Sequence, residues 1–368
     1  MITLRHVAFG FAIILSIFVI FLTYYNLNFK LPALTFYQER VNISCQCANT
    51  SCPSDLQVTP TPTDVKKNQV DTRPDTIVLL WMWPFGVKHP LSCDEFNITG
   101  CHVTVDKSVY HQAHGVLFHH RDIGNTVMPT ELRPWFQKWI WFNMESPVYS
   151  GVLPSLDNVF NLTMSYRLDS TILIPYGTLE LLQSKRESLE LPAKNKLLCW
   201  IVSHWEQRLE RVRYFQELKK YINVSLYGNA FGNAVGDDDY KDIVSSCKFY
   251  LAFENSVCKD YISEKLFLPL ELGTVPVVLG PPRKNYERVV PPDSFIHVDD
   301  FSSPKQLVER LLYLDQNNEE YLKLLEWKNW FKVIHHKFGH EAACKTCRYL
   351  QINRGYQVFH NLNKWYWD

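Results

Sequence analysis

Residues 249–266 read FYLAFENSVCKDYISEKL, and how this stretch folds decides the architecture of the chain. Phe249 to Phe253 is a continuous apolar run, the pattern of a strand covered on both faces in a parallel sheet. It breaks abruptly into Glu254, Asn255 and Ser256, and Lys259, Asp260, Tyr261, Glu264 and Lys265 follow closely. A plain connecting loop draws on Gly, Pro and Ser rather than on both signs of charge. Polar groups gathered at the C-terminal end of a buried strand mark where open α/β sheets bind ligands. Tyr261 to Lys265 then reads as the start of a helix whose positive end faces the same crevice.

The same texture recurs on both sides. Apolar runs lie at 76–83 (TIVLLWMW), 115–119, 139–144, 197–203, 224–228, 275–280 and 294–298, with helix-like stretches at Glu206–Lys220 and Pro304–Leu324. Strand–helix alternation on this scale predicts two doubly wound α/β domains. The hinge falls at LIPYG, residues 173–177, which places the domains at 76–177 and 178–368.

Residues 7–25, VAFGFAIILSIFVIFLTYY, contain no charge, and their number approaches the roughly 20 needed to cross a bilayer as a helix. No small-residue cleavage site follows, which favours an uncleaved signal anchor over a removed signal peptide. Residues 1–6 then form a cytoplasmic tail, and residues 26–75, with their Pro, Thr and charge, an extended stem. Sequons at Asn42, Asn49, Asn97, Asn161 and Asn223 fit a lumenal orientation. A short span suits the thinner membranes of the early secretory pathway. The expectation is a single-pass type II protein of the Golgi membrane.

Lys+Arg and Asp+Glu both number 38, and this balance argues against nucleic-acid partners, which require a basic surplus. Ten cysteines are present, seven of them after residue 76. CKTC at 344–347 admits a redox or zinc reading, but structural disulfides prevail in an oxidising lumen. Pairing Cys93 and Cys101 with Cys344 and Cys347 would tie the tail to the first domain. A Cys199–Cys247 bridge would join two strands of the second. Cys45, Cys47, Cys52 and Cys258 are left without a role.

Three further groups could carry chemistry. GDDDY at 236–240 resembles an Asp-x-Asp metal–diphosphate motif, yet a solvated acidic turn is the simpler reading. HHRD at 119–122 ends a strand with two histidines, which suits a metal or a polar strand end facing a cleft. Glu145 follows the aromatic run of KWIWFNMESP (138–147), where a carboxylate at a dry strand end suits a general base; capping the next turn is the alternative. Without a metal, a diphosphate must be met by cations and helix-start N–H groups. Lys265, Arg211, Asn255 and Ser256 are placed for that, with Glu264 accepting from ribose hydroxyls; an exposed helix start with an acid–base pair is the alternative.

These motifs together resemble glycosyltransferase family 10, the α1,3-fucosyltransferases. The likeness rests on WPFG (83–86), HHRD, QKWIWFNMESP (137–147), PYG (175–177), FYLAFENS (249–256), DYISEKL (260–266) and VPVVLGPPR (275–283), in order. It implies a GT-B fold, two Rossmann-like domains facing a cleft, preceded by the membrane helix and stem. It implies inverting transfer of L-fucose from GDP-β-L-fucose to the 3-hydroxyl of GlcNAc in type 2 (Galβ1,4GlcNAc) termini. Type 1 or sialylated acceptors and a catalytically silent homologue are the alternatives.

By the same resemblance Glu145 is the general base, and Phe85 and Arg121 join it on the acceptor side. Tyr176, Ser203, His204, Arg211, Phe253, Asn255, Ser256, Tyr261, Glu264 and Lys265 fall to the donor. The pairs Cys93–Cys344 and Cys101–Cys347 follow as well. No cofactor is required, a divalent metal at most stimulates, and a homodimer is left open. Two positions depart from the family pattern: His204 replaces an Asn, and Pro269 falls where it would kink a helix interior.

Overall fold

The computed structural model describes residues 75–368. The apolar span, the stem, Asn42, Asn49, Cys45, Cys47 and Cys52 lie outside the described residues. Among the described residues no helix is long and apolar enough to cross a membrane.

Six strands form the first sheet: β1 (Thr76–Leu80), β2 (Cys101–Thr104), β3 (Gly115–His119), β4 (Lys138–Asn143), β5 (Leu162–Ser165) and β6 (Ile172–Leu173). Their order is β2-β1-β3-β4-β5-β6, parallel throughout. β7 (Gly177–Leu181) then leaves the sheet. The second sheet holds β8 (Lys196–Ile201), β9 (Ser225–Tyr227), β10 (Cys247–Phe253), β11 (Val275–Leu279) and β12 (Ile296–His297). Its order is β12-β11-β10-β8-β9, again parallel. β13 (Phe331–His335) returns to pair antiparallel with β7.

Counted within each sheet, both follow the doubly wound order 2-1-3-4-5, with β6 added to the first. This is the flavodoxin-like order, so the Rossmann-like expectation holds only as a doubly wound sheet, not as the order 3-2-1-4-5-6. The switch points therefore fall between β1 and β3 and between β8 and β10. Ligands of such sheets bind beyond the strand C-termini there.

The apolar run of β10 is continuous because both faces are covered. Phe249, Leu251 and Phe253 enter one core with Trp200 and Leu311, while Tyr250 and Ala252 enter another with Phe267 and Val278. Shorter strands such as β2 (CHVT) and β5 (LTMS) escape sequence detection, because four residues carry little periodicity.

Six helices matter below: α1 (Glu210–Leu218), α2 (Asp237–Ser245), α3 (Glu264–Glu271), α4 (Pro304–Gln316), α5 (His340–Ile352) and α6 (Leu362–Trp367). Helix α3 runs through Pro269, which lies buried inside it. Helix α5 crosses back onto the first sheet and is fixed by disulfides Cys93–Cys344 and Cys101–Cys347. CKTC is thus neither a redox pair nor a metal site, since each cysteine bonds a distant partner. Cys199–Cys247 links β8 to the start of β10, and Cys258 keeps its thiol.

Asn97 and Asn223 are exposed. Asn161 corrects the sequon expectation: it is 5 % exposed, and both ends of its amide are hydrogen-bonded. Its Oδ1 accepts from Trp139 N–H (2.7 Å) and Arg133, and its Nδ2 donates to the Gln357 carbonyl (2.7 Å). A glycan on Nδ2 would displace that contact and open the core.

Candidate active site

Glu145 stands two residues beyond β4, half-buried. Asn143, 0 % exposed, fixes its loop from both sides. Its Oδ1 accepts from Glu145 N–H (3.2 Å) and its Nδ2 donates to Ser150 Oγ (2.8 Å). Hydroxyls from far along the chain satisfy the loop carbonyls. Tyr366 donates to the carbonyl of Glu145, and Tyr176 to that of Met144. Trp367 Nε1 donates to the Ser150 carbonyl (2.8 Å). The Glu145 side chain shares a cavity of 140 Å³ with Arg121, His120, Asn143 and Tyr149.

Arg121 follows β3, and Phe85 lies beyond β1, so both sit at the first switch point. The Arg121 guanidinium lies 5.3 Å from the centre of the Phe85 ring, and that ring meets His119 at 4.6 Å. Phe85 adopts φ 54°, a strained value for a non-glycine residue. Asp122 secures it by accepting from Phe85 N–H (2.9 Å) while pairing with His119 Nδ1 (2.6 Å). His120 bonds the Gly151 carbonyl (2.9 Å) and accepts from Trp141 Nε1. Burial lowers the pKa of both imidazoles. HHRD is therefore a strand end built to hold Phe85 and Arg121.

At the second switch point, Ser203 and His204 follow β8 and are exposed. His204 Nε2 pairs with Glu206 at 2.7 Å. Arg211, on α1, is 5 % exposed. Its Nη2 donates to the His204 carbonyl, whereas its Nε is buried without a partner. Beyond β10, Glu254 is 1 % exposed and accepts from Ser263 N–H (2.7 Å) and Ser263 Oγ (2.8 Å). Ser263 also caps α3, accepting from Lys265 N–H. Lys265 Nζ lies 3.6 Å from Glu254 and 2.8 Å from Glu264. Burial opposes the Lys265 charge, but Glu254 and Glu264 carry its pKa well above the ordinary value. Burial likewise pushes Glu264 up, and Lys265 outweighs it and holds the carboxyl below its usual range. Asn255 and Ser256 complete the strand end, with Ser256 Oγ donating to Asn255 Oδ1 (3.0 Å).

The two strand ends meet through aromatic rings. Tyr261 is 3 % exposed and packs into the first core against Tyr166 (5.1 Å) and Tyr176 (6.2 Å). Tyr149, four residues past Glu145, sets its ring 5.7 Å from His204, with its hydroxyl buried and unpartnered. Burial raises its pKa, and the charges of Glu206, Arg211 and Glu145 all reach it. Asp260, at φ 58°, accepts from Leu168 N–H (3.1 Å) and Asn285 Nδ2 (2.6 Å), pinning the loop after β10 to both halves.

Phe253 corrects the donor assignment. It is 0 % exposed and packs against Trp200 (5.8 Å) and Tyr214 (5.7 Å), inside the core on one face of β10. The GDDDY acids begin α2, and among the described residues no three His, Cys, Asp or Glu side chains could jointly hold a metal. Ser263, Tyr149 and Tyr366 escape sequence reasoning, and Glu254 and Asp260 appear there as polar residues of the strand end without a role of their own. Only Glu254 carried a signal, as an acid directly ending an apolar run. The arrangement offers a carboxylate over an open cavity on one side and two cations with a helix start on the other. That suits proton removal from a hydroxyl opposite an anionic leaving group.

The model of the fucosyltransferase N-terminal family matches residues 73–177, and that of glycosyltransferase family 10 (fucosyltransferase), C-terminal part, matches 191–365. The chain is 46 % identical over 310 residues to the 4-galactosyl-N-acetylglucosaminide 3-alpha-L-fucosyltransferase 9 of Mus musculus and to that of Homo sapiens, covering 82 % of this chain and 86 % of each relative. It is 43 % identical to the 3-galactosyl-N-acetylglucosaminide 4-alpha-L-fucosyltransferase FUT3 of Pan troglodytes, over 82 % of this chain and 83 % of that one. Among solved structures, an alpha1,3-fucosyltransferase with GDP-fucose superposes with a TM-score of 0.54 at 15 % identity, covering 81 % of this chain and 96 % of that one. That likeness shows the α/β parallel-sheet fold.

Proposed function

The chain belongs to glycosyltransferase family 10, the fucosyltransferases, and from that premise we propose how its residues perform the transfer. It moves L-fucose from GDP-fucose to the 3-hydroxyl of GlcNAc in type 2, Galβ1,4GlcNAc termini, forming Lewis x-type structures. The two doubly wound halves face a cleft in a GT-B arrangement. Acceptor binds at the first switch point, against Phe85 and Arg121, and donor at the second, among Ser203, His204, Arg211, Asn255, Ser256, Glu264 and Lys265. Tyr176 and Tyr261, expected among the donor contacts, instead pack into the first core and hold the donor loop to the base loop from behind.

The observation that carries this reading is the placement of Glu145. Its carboxylate lies over an open cavity shared with Arg121 and Tyr149, and Tyr149 reaches the donor strand end at His204. Glu145 takes the proton from the acceptor O3 as O3 attacks the fucose C1 from the face opposite the diphosphate. The C1–O bond breaks, its electron pair stays on the β-phosphate oxygen, and the β-linked donor gives an α-linked product. Arg211 and Lys265 meet the charge that develops on GDP. Transfer in this reading requires no metal. Residues 7–25 anchor the protein in the Golgi membrane with residues 75–368 in the lumen, where structural disulfides persist.

Glu145→Gln tests the assignment. Transfer to N-acetyllactosamine is expected to fall by at least about a hundredfold, the lower range for removing a general base, while GDP-fucose binding stays within about twofold. Near-wild-type turnover in the variant would overturn the role of Glu145. Wild type that binds GDP-fucose yet fucosylates no such acceptor would overturn the activity. Loss of transfer in EDTA would contradict the metal-free step.

A further inference from the structure

A second concavity opens at the N-terminal ends of the strands of the first sheet, with a volume of 410 Å³. That lies in the size range of small-molecule sites. Strand β4 runs between the two: Lys138, its first residue, lines this cavity, and Asn143, its last, lines the cavity of Glu145. At about 3.3 Å per residue the strand separates them by roughly 17 Å. A single sugar in one cannot reach the other.

The wall suits a saccharide. Trp135 is 90 % exposed at the rim and stands edge-on to Phe136 at 5.8 Å, with His114 5.8 Å beyond. A flat, accessible indole is a platform for the C–H face of a pyranose. Ile77 N–H donates to His114 Nδ1 (3.0 Å), which leaves the ring proton on Nε2. Burial, then the Arg354 charge, lowers the His114 pKa, so the ring is a neutral donor. Gln112 and Asn353 add side-chain amides.

The charge of the cavity is one-sided. Lys138 and Arg354 line it and no carboxylate does. Lys138 is 5 % exposed, with Nζ fixed on the Asn353 carbonyl (2.5 Å), whereas Arg354 is exposed at the mouth. From this juxtaposition we infer that the cavity is a secondary saccharide site selective for a sugar bearing a carboxylate, a sialic or uronic acid residue. The carboxylate pairs with Arg354, His114 Nε2 and Gln112 bond hydroxyls, and the ring lies on Trp135. Its concave, hydrogen-bonding wall fits a sugar better than a membrane surface. The inference does not depend on which acceptor is fucosylated.

The full-length chain in detergent micelles is titrated by saturation-transfer NMR. The probes are the methyl glycosides of N-acetylneuraminic acid and glucuronic acid, with methyl galactoside as the neutral control. Both acids are expected to bind at least about tenfold more tightly than the control, the effect of one charge-assisted contact. Trp135→Ala and Arg354→Ala should each weaken acid binding by a similar factor, with Arg354→Lys between. Transfer to N-acetyllactosamine, unchanged in all three, reports that they are folded. Equal binding of the galactoside would remove the charge selectivity. Wild-type binding in both alanine variants would place the sugar elsewhere, and no saturable binding below about 10 mM would overturn the site. Loss of binding to phosphatidylserine vesicles on Trp135→Ala, without saccharide binding, would make this face a lipid contact instead. If the alanine variants fail to fold, Arg354→Lys and the acid-to-neutral ratio in wild type decide.

Discussion

Tyr366 lies two residues before Asp368, the last of the chain, yet its hydroxyl holds the carbonyl of Glu145. Its ring is 1 % exposed and packs 4.7 Å from Trp141 of β4. Removing the hydroxyl leaves that carbonyl unpaired in a crowded place, at a cost of about 1 kcal/mol. Because the loop of Glu145, the proposed base, rests on this contact, Tyr366→Phe is expected to lower kcat by about tenfold. GDP-fucose affinity should hold, since Tyr366 touches no donor residue. Steady-state kinetics with each substrate varied would check this, and an effect confined to donor KM would contradict it. Phe253 teaches the converse. It adjoins the polar strand end in sequence but lies in a core, because both faces of β10 are covered up to its last residue.

Among the elements, α3 is where sequence and site coincide most closely. Its start carries Glu264 and Lys265, its cap Ser263 is bonded to buried Glu254, and its body packs under β7. A Cβ added to Gly177 would come 2.3 Å from the Phe267 ring, so only glycine lets α3 sit this close to the crossing strand. Ser263→Ala removes the cap and the hydroxyl partner of a buried carboxylate together. The expected loss is about 2 kcal/mol, with a raised KM for GDP-fucose because Lys265 loses its support. Thermal unfolding together with donor kinetics would measure both. A change in stability without a change in KM would separate the cap from the site. Helix α3 itself was legible in sequence as a cluster of charge after a buried strand. Pro269, expected to kink a helix interior, lies buried inside it two residues before its end.

For the whole molecule, α5 and α6 carry the chain back from the second half to close the first. Glu341, at the start of α5, is 7 % exposed and bonds His336 Nδ1 (2.7 Å) and Lys337 N–H (2.9 Å), with Lys345 at 3.0 Å. Burial works to raise its pKa, but these partners prevail and hold it at about 2. A carboxyl depressed on folding adds stability that is present above its unfolded pKa, about 4.5, and lost as pH falls toward the folded value. The contribution is on the order of 3 kcal/mol. Unfolding followed at pH 7, 5 and 3 should show wild type losing more stability between 5 and 3 than Glu341→Gln. Parallel losses would remove Glu341 from the account.

The sequence determined what depends on near neighbours. Apolar runs covered on both faces made the sheets parallel, and polar residues at their ends put the site at the strand C-termini. The ordered motifs made the chain a family 10 member, and the cysteines tied the tail to the first domain. Tertiary structure alone decided the rest. It fixed the 2-1-3-4-5 strand order, buried Asn161 and Phe253, and gave Asp122, Asp260 and Glu254 their positioning roles. It also brought Tyr149 against His204 and Tyr366 onto Glu145, partners 221 residues apart. Periodicity and turn chemistry are properties of a short window, whereas a hydroxyl reaching a carbonyl across the fold leaves no local pattern to read.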